Sequence, residues 1–249
     1  MSGFKDHFSS HASAYSTYRP GYPDALATWL AAEAPTRSLA VDVGCGSGQL
    51  STLLAERFAQ VVALDPSAEQ IANAQPHPNV DYRVARAEQT GIAPRSADLL
   101  TAAQAAHWFD LPAFFAEAQR VLKPAGLIAL VTYAGMTPGS DVAAIVETFR
   151  TETLAPYWPS ERAMVDNDYR DIHLPFAPVE APPMLLEVQW SLEALIGYVD
   201  TWSAVRAMER AIGRAPFEQM VARLREAWGP AEATKLLQWP LTVIAGRAT

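Results

Sequence analysis

The sequence predicts an α/β fold in which a mostly parallel sheet is covered by helices on both faces. Three observations carry that prediction. Short apolar, β-branched runs alternate with segments whose apolar residues recur at helical spacing. The first run opens onto a turn with a glycine at every second position, Gly44, Gly46 and Gly48. Half of the 249 residues are hydrophobic and 18% are charged, enough to bury both faces of a sheet.

Residues 4–20 are rich in aromatic, hydroxyl and histidine side chains, among them Phe8, His11, Tyr15, Tyr18 and Arg19. Pro20 stops any helix there, and the arm reads as a lid or a loosely packed leader. Leu26, Trp29 and Leu30 stripe a helix between Tyr22 and Ala34, stopped by Pro35. The run from Leu39 to Val43 is the first strand, and the helix after the glycines covers 49–59. A second strand, 61–64, leads to Asp65-Pro66-Ser67, where Ser67 and Gln70 make a capping box for a helix over 68–74. Strands over 79–85 and 97–103 follow. Phe114, Phe115, Ala118, Val121 and Leu122 stripe a helix that Pro124 and Gly126 close, and 127–133 is a fifth strand. Beyond Ala134 the alternation lapses. A helix over 141–155 gives way to a segment broken by six prolines from Pro156 to Pro183. A strand near 184–190, helices over 192–210 and 215–228, and a last strand after Pro240 complete the chain.

Composition excludes several classes. A net charge of -8, with 19 basic residues and no dense basic run, opposes the counterion release that drives nucleic-acid binding. The lone Cys45 makes no internal disulfide, and no His/Cys cluster has metal-ligand spacing. With no apolar leader segment and no run near 18 apolar residues, the chain reads as a cytoplasmic protein off the membrane. Its expected partner is a small molecule, as a monomer or homodimer.

The glycine turn narrows the chemistry. Glycines remove Cβ atoms where the backbone must approach a ligand, and the next helix offers unpaired N–H groups. A dinucleotide fingerprint needs a third glycine where this chain has Gln49, and no Tyr-x-x-x-Lys pair is present, so an NAD(P)-dependent oxidoreductase is disfavoured. No Gly-Lys-Ser/Thr follows for a phosphate loop, and Ser47 lacks the flanks of a hydrolase elbow. Asp42, Gly44, Gly46 and Gly48 instead follow an acidic-x-G-x-G-x-G pattern. Asp65 ends the second strand, Ala87-Glu88 follow the third, Gln104 to Phe109 follow the fourth, and Arg120 to Gly126 precede the fifth. Together these blocks, within residues 8–133, resemble the class I S-adenosylmethionine-dependent methyltransferases. The arm Tyr15–Pro20, Ala87 to Thr90 and His107-Trp108-Phe109 look most like the small-molecule O-methyltransferase group (methyltransferase type 11) that includes trans-aconitate methyltransferase-like proteins.

The resemblance implies a Rossmann-like, doubly wound, mostly parallel seven-stranded sheet with one antiparallel strand, an N-terminal lid and a C-terminal helical insertion. It divides one 1–249 domain into a lid arm (1–21), a cofactor-binding core (22–134), a substrate-covering segment (135–240) and the last strand (241–249). The cofactor would be S-adenosylmethionine. Asp65, with Pro66 beside it, would meet the ribose hydroxyls, Asp42 the methionine ammonium, Ala87 and Glu88 the adenine, and Gln104 the methionine part. Tyr15, Tyr18 and Trp108 would cover the cofactor or simply pack, and Arg19 would reach its carboxylate. An Asn/Asp-Pro-Pro-Tyr/Phe block, the mark of enzymes that modify base or amide nitrogens, is replaced by Gln104-Ala105-Ala106-His107. That class is disfavoured, and the acceptor that the O-methyltransferase resemblance implies is an oxygen. A carboxylate, with a pKa of about 4, needs no base, whereas a phenol would need one, and His107 is either that base or a packed ring. Arg150, Arg162, Arg170, Arg206 and Arg210 are candidates to clamp an acidic substrate, and Trp190 and Trp202 read as core or pocket wall. A non-catalytic module that keeps the cofactor pocket is the alternative.

Overall fold

The structure, a computed structural model, describes residues 20–249. Tyr15, Tyr18 and Arg19 lie outside the described residues. The order of elements is α1 (Asp24–Glu33), β1 (Leu39–Val43), α2 (Gln49–Ala55), β2 (Gln60–Asp65), α3 (Ala68–Ala72), β3 (Val80–Val84), β4 (Ala97–Ala103), α4 (Leu111–Val121) and β5 (Leu122–Thr132). Then come α5 (Asp141–Thr148), α6 (Arg162–Asp166), β6 (Ala177–Val179), β7 (Met184–Ser191), α7 (Leu192–Asp200), α8 (Ser203–Ile212), α9 (Ala215–Trp228) and β8 (Thr234–Arg247).

The strands form one sheet in the order β3-β2-β1-β4-β5-β8-β6, with β7 added beside β8. β1 lies between β2 and β4 and is parallel to both, so the winding reverses at its C-terminal end. That is where a doubly wound sheet opens a crevice for a ligand. β8 runs antiparallel to β5, β6 and β7, and is the one reversed strand. The expected strand near 184–190 is β7, paired with the leading half of β8 from Ser191 opposite Thr234 to Met184 opposite Leu241. The sheet has eight strands rather than seven because the short β6 also adds to β8, from Ala177 opposite Arg247 to Val179 opposite Ala245.

Side-chain alternation sorts the core. Ala40, Leu127, Ala129 and Val131 pack with Leu26, Leu30, Leu50 and Leu54 of α1 and α2 on one face. Val41, Val43, Ile128 and Leu130 pack with Phe114 and Val121 of α4 on the other. Strands buried on both faces lose the polar-apolar alternation, which is why they read as continuous apolar runs. A third cluster, including Phe149, Leu195, Tyr198, Phe217, Trp228 and Trp239, joins α5 and α7–α9 to β7 and β8 as a cap.

Several boundaries differ from those the sequence predicts. β5 starts at Leu122, directly after α4, and absorbs Pro124 and Gly126, with Ala125 in the left-handed region at φ 62°. The predicted helix over 192–210 is two helices, parted at Trp202, whose backbone is extended (ψ 134°). α5 ends at Thr148 and passes into a wider π-helical turn. β8 begins at Thr234 rather than after Pro240, because at Pro240 it is paired with Leu185 on one edge only, and a missing N–H on the free edge breaks no ladder. No described helix is long and apolar enough to cross a membrane.

Candidate active site at the C-terminal edge of the sheet

Gly44, Gly46 and Gly48 have φ of 69°, 54° and 86°. A side chain at Gly44 would collide with Ala105, and one at Gly48 with the phenol oxygen of Tyr82. The turn is thus both conformationally and sterically reserved for glycine. The N–H groups of Gly44 and Cys45 donate to Leu64 O, at 2.7 and 3.0 Å, which pins the turn to β2. The carboxylate of Asp65 completes the pinning, accepting from Gly46 N at 3.0 Å and from Ser67 N at 2.8 Å.

Asp42 is buried beneath the turn, where its two oxygens accept from Ser51 Oγ (2.6 Å) and Thr101 Oγ1 (2.8 Å). Burial raises its pKa to about 6; the two hydroxyls oppose the rise and nearby Asp65 adds to it. Gln70 was legible in the sequence as a capping partner only, and its backbone N–H does donate to Ser67 Oγ at 3.2 Å. Its side chain adds something else. The residue is 3% exposed, its Oε1 has no hydrogen-bond partner among the described residues, and that atom is 4.0 Å from where a Cβ on Gly46 would sit. An orphaned buried carbonyl costs about 1–3 kcal/mol, which a donating ligand hydroxyl would offset. The glycine cradle and this orphan fit a nucleoside.

Ala87, buried, follows β3. Glu88 Oε1 accepts from Asp110 N at 3.0 Å and its Oε2 from Arg86 Nε at 3.3 Å, tying this loop to the start of α4. Pro66 stands between Asp65 and the cap residue Ser67. Gln104, with φ 52°, is locked across the ends of β4 and β5: its Nε2 donates to Tyr133 O at 2.7 Å and its Oε1 accepts from Thr132 at 3.0 Å.

Beyond Gln104 a short turn, Ala106–Trp108, carries His107 into a cleft. His107 is buried, its ring 4.8 Å from that of Trp108, and Nδ1 is 2.8 Å from the hydroxyl of Tyr169. Tyr169 is fully buried, and burial pushes its phenol well above the usual range, so it stays protonated. It follows Asp168, and both sit in the left-handed region, at φ 53° and 56°, a conformation that costs about 1–2 kcal/mol per residue. Gln104, His107, Tyr133, Trp158, Arg162 and Trp202 help to line the cleft, which has about 630 Å³ of empty space, part of it open solvent.

The structure brings Asp42, the three glycines, Asp65, Gln104, His107 and Trp108 to one edge of the sheet. Of the five candidate arginines it brings one, Arg162, to the cleft. Arg150 is taken up by Glu147 and Asp166, and Arg170 is 74% exposed beside Asp168. Trp202 is a cleft wall, while Trp190 packs against Trp239 and Tyr198. Sequence reasoning missed Ser51 and Thr101, although a hydroxyl at a core position was a readable signal, and it missed Tyr169, for which the sequence has no pattern.

Comparison with known proteins identifies the family. A family model described as a methyltransferase domain matches residues 41–130. A methyltransferase-named protein of Dictyostelium discoideum is 35% identical over 229 residues, 90% of this chain and 87% of its own. A structure described as a type II methyltransferase from Anaeromyxobacter dehalogenans is 46% identical, covers 93% of this chain and 98% of its own, and superposes with a TM-score of 0.87. A ubiquinone biosynthesis O-methyltransferase of Rhodopseudomonas palustris is 35% identical over 97 residues, 37% of this chain and 38% of its own. Since the likeness runs through both the glycine turn and the cap, the chain belongs to the class I S-adenosylmethionine-dependent methyltransferases.

Proposed function

We propose that this enzyme moves the methyl group to an oxygen atom of a small molecule held in the cleft beside His107. One observation carries the reading. Gln104, locked to β5, ends the cofactor edge, and His107, three residues on, opens the cleft, so the two sites share a single short turn. When bound, S-adenosylmethionine supplies an electrophilic methyl on a sulfonium, and the protein's task is to present an acceptor oxygen in line with it.

Asp65 and the inward amide of Gln70 are assigned to the ribose, the glycine turn, which has no side chains in the way, to close approach of the nucleoside edge, and Pro66, Ala87 and Glu88 to the adenine. Gln104 and Trp108 border the methionine part. Asp42, whose oxygens are taken by Ser51 and Thr101, acts on the methionine ammonium through its buried charge. Tyr15, Tyr18 and Arg19 are assigned to the cover on the sequence alone. His107, whose Nδ1 meets the Tyr169 hydroxyl, is assigned as the group that receives the proton of a hydroxyl acceptor. A carboxylate acceptor arrives already ionised and needs only to be held. The O-methyltransferase among the relatives supports an oxygen acceptor.

Incubating the enzyme with S-adenosylmethionine and a panel of carboxylic acids, phenols and amines, followed by mass spectrometry, tests the reading. Products carrying one added methyl on oxygen are expected. Methylation confined to amines would overturn it.

A further inference from the structure

Arg162 is the first residue of α6, and its guanidinium carbon lies 4.7 Å from the centre of the Trp158 ring. Its Nε donates to Asp166 Oδ1 at 3.1 Å. Its two terminal nitrogens have no partner among the described residues, although the side chain is only 20% exposed. The contrast with Arg150 is informative: there all three guanidinium nitrogens are bonded, to Glu147 and Asp166. Arg214, which also stacks on an aromatic ring, spends both terminal nitrogens on Asp200 and Glu209. Arg162 is therefore a guanidinium fixed in orientation by an indole face and one carboxylate, with its outer fork unused. A fork of this kind matches a carboxylate in two parallel hydrogen bonds.

The lining of the cleft sharpens the match. The chain has 27 acidic residues, yet no Asp or Glu is among the described residues that line this space. Its fixed charge is that of Arg162, and His107 faces it from the β4 side. A cationic acceptor would find no carboxylate among the described lining residues. The remaining walls include the rings of Trp202, Tyr133 and Tyr198, which suit a flat apolar body.

We propose that Arg162 is the carboxylate anchor of the acceptor site and that the acceptors are small monocarboxylic acids with an aromatic or conjugated body. The proposal rests on the cleft being the acceptor site. One fixed cation suits a monoacid, whereas a triacid such as trans-aconitate would leave two carboxylates without a fixed cation.

The test is calorimetric titration of 4-hydroxybenzoate and of 4-hydroxybenzamide into protein saturated with S-adenosylhomocysteine. The acid is expected to bind at least about tenfold tighter than the amide, and Arg162→Gln to remove that preference while leaving amide affinity unchanged. Arg162→Lys, which keeps the charge and loses the fork, is expected to restore only part of it. Equal binding of acid and amide by the wild type, or an acid preference that survives Arg162→Gln, would overturn the anchor. Titrating S-adenosylhomocysteine into each variant reports that the fold is intact, and if Arg162→Gln fails that control, the wild-type ratio and Arg162→Lys decide. The oxygen reading fails separately. Acids that bind through Arg162 but gain no methyl on oxygen refute that reading and leave the anchor standing, whereas 4-hydroxybenzoate bound and methylated on oxygen equally by wild type and Arg162→Gln does the reverse.

Discussion

In the proposed assignment, the cofactor and acceptor sides of the site carry opposite charge and are built in opposite ways. On the cofactor side the carboxylates of Asp42, Asp65 and Glu88 are each held by hydrogen bonds from neighbouring loops and strands. On the acceptor side the described lining has no carboxylate, and Arg162 and His107 come from elements more than fifty residues apart in sequence. A sulfonium nucleoside brings positive charge and an acid brings negative charge. On the assignment proposed above, the difference teaches how one fold would separate recognition of the two reactants electrostatically before any chemistry occurs.

The comparison can be broken most severely at the turn. Gly48→Val places a branched side chain at φ 86° and against Tyr82. Strain and overpacking together cost about 4 kcal/mol, so the affinity for S-adenosylhomocysteine is expected to fall about 1,000-fold by calorimetry. Next comes the charge buried at Asp42. Its folded pKa, about 6, lies above the ordinary 3.8, so ionisation weakens the fold. That penalty is fully present above about pH 6 and vanishes as the pH falls below 3.8. Urea titrations should show Asp42→Asn gaining roughly 2 kcal/mol relative to wild type between about pH 4.5 and pH 7.5. A pH-independent difference would mean that folding does not raise the pKa of Asp42.

Smaller changes sharpen the contrast. Tyr169→Phe keeps the buried ring and removes the hydroxyl on His107 Nδ1. For a hydroxyl acceptor kcat is expected to fall about tenfold with little change in KM, and the pH profile should shift; for a carboxylate acceptor kcat should barely move. Gln70→Leu replaces the orphaned amide by an apolar group of similar size. The protein without cofactor should gain about 1 kcal/mol of stability, while the affinity for S-adenosylhomocysteine drops about fivefold. The opposite signs are the diagnostic feature, and a loss in both would mark Gln70 as purely structural.

The cofactor side was the legible one because its signals are local. β4 and α9 have the predicted bounds, and the Ser67 half of the capping box forms, while Ser67 N donates to Asp65 instead of to Gln70. Gly44, Gly46 and Gly48 announce their backbone directly, since few other residues accept positive φ. The acceptor side is made of distant pieces. Nothing near Tyr169 in sequence says that it reaches His107, and Arg162 looks like any of the five candidate arginines until Trp158 and Asp166 are placed around it. Trp202 parts two helices that its apolar spacing would have joined, because tertiary packing outweighs periodicity there. β8 was misjudged at Pro240 for a related reason, as a proline is a barrier only where both edges of a strand are paired.

That strand has a consequence for exchange of parts between relatives. Its trailing half, from Thr242, is laddered to β5 in the core, and its leading half, to Leu241, is laddered to β7 in the cap. The seam between the two regions therefore runs through the middle of one continuous ribbon. A cap transplanted as residues 135–240 would be cut at a point where every neighbouring residue is committed to a ladder. Acceptor preference should thus change among relatives by substitution within the cap, at positions such as Arg162, more readily than by wholesale replacement of it.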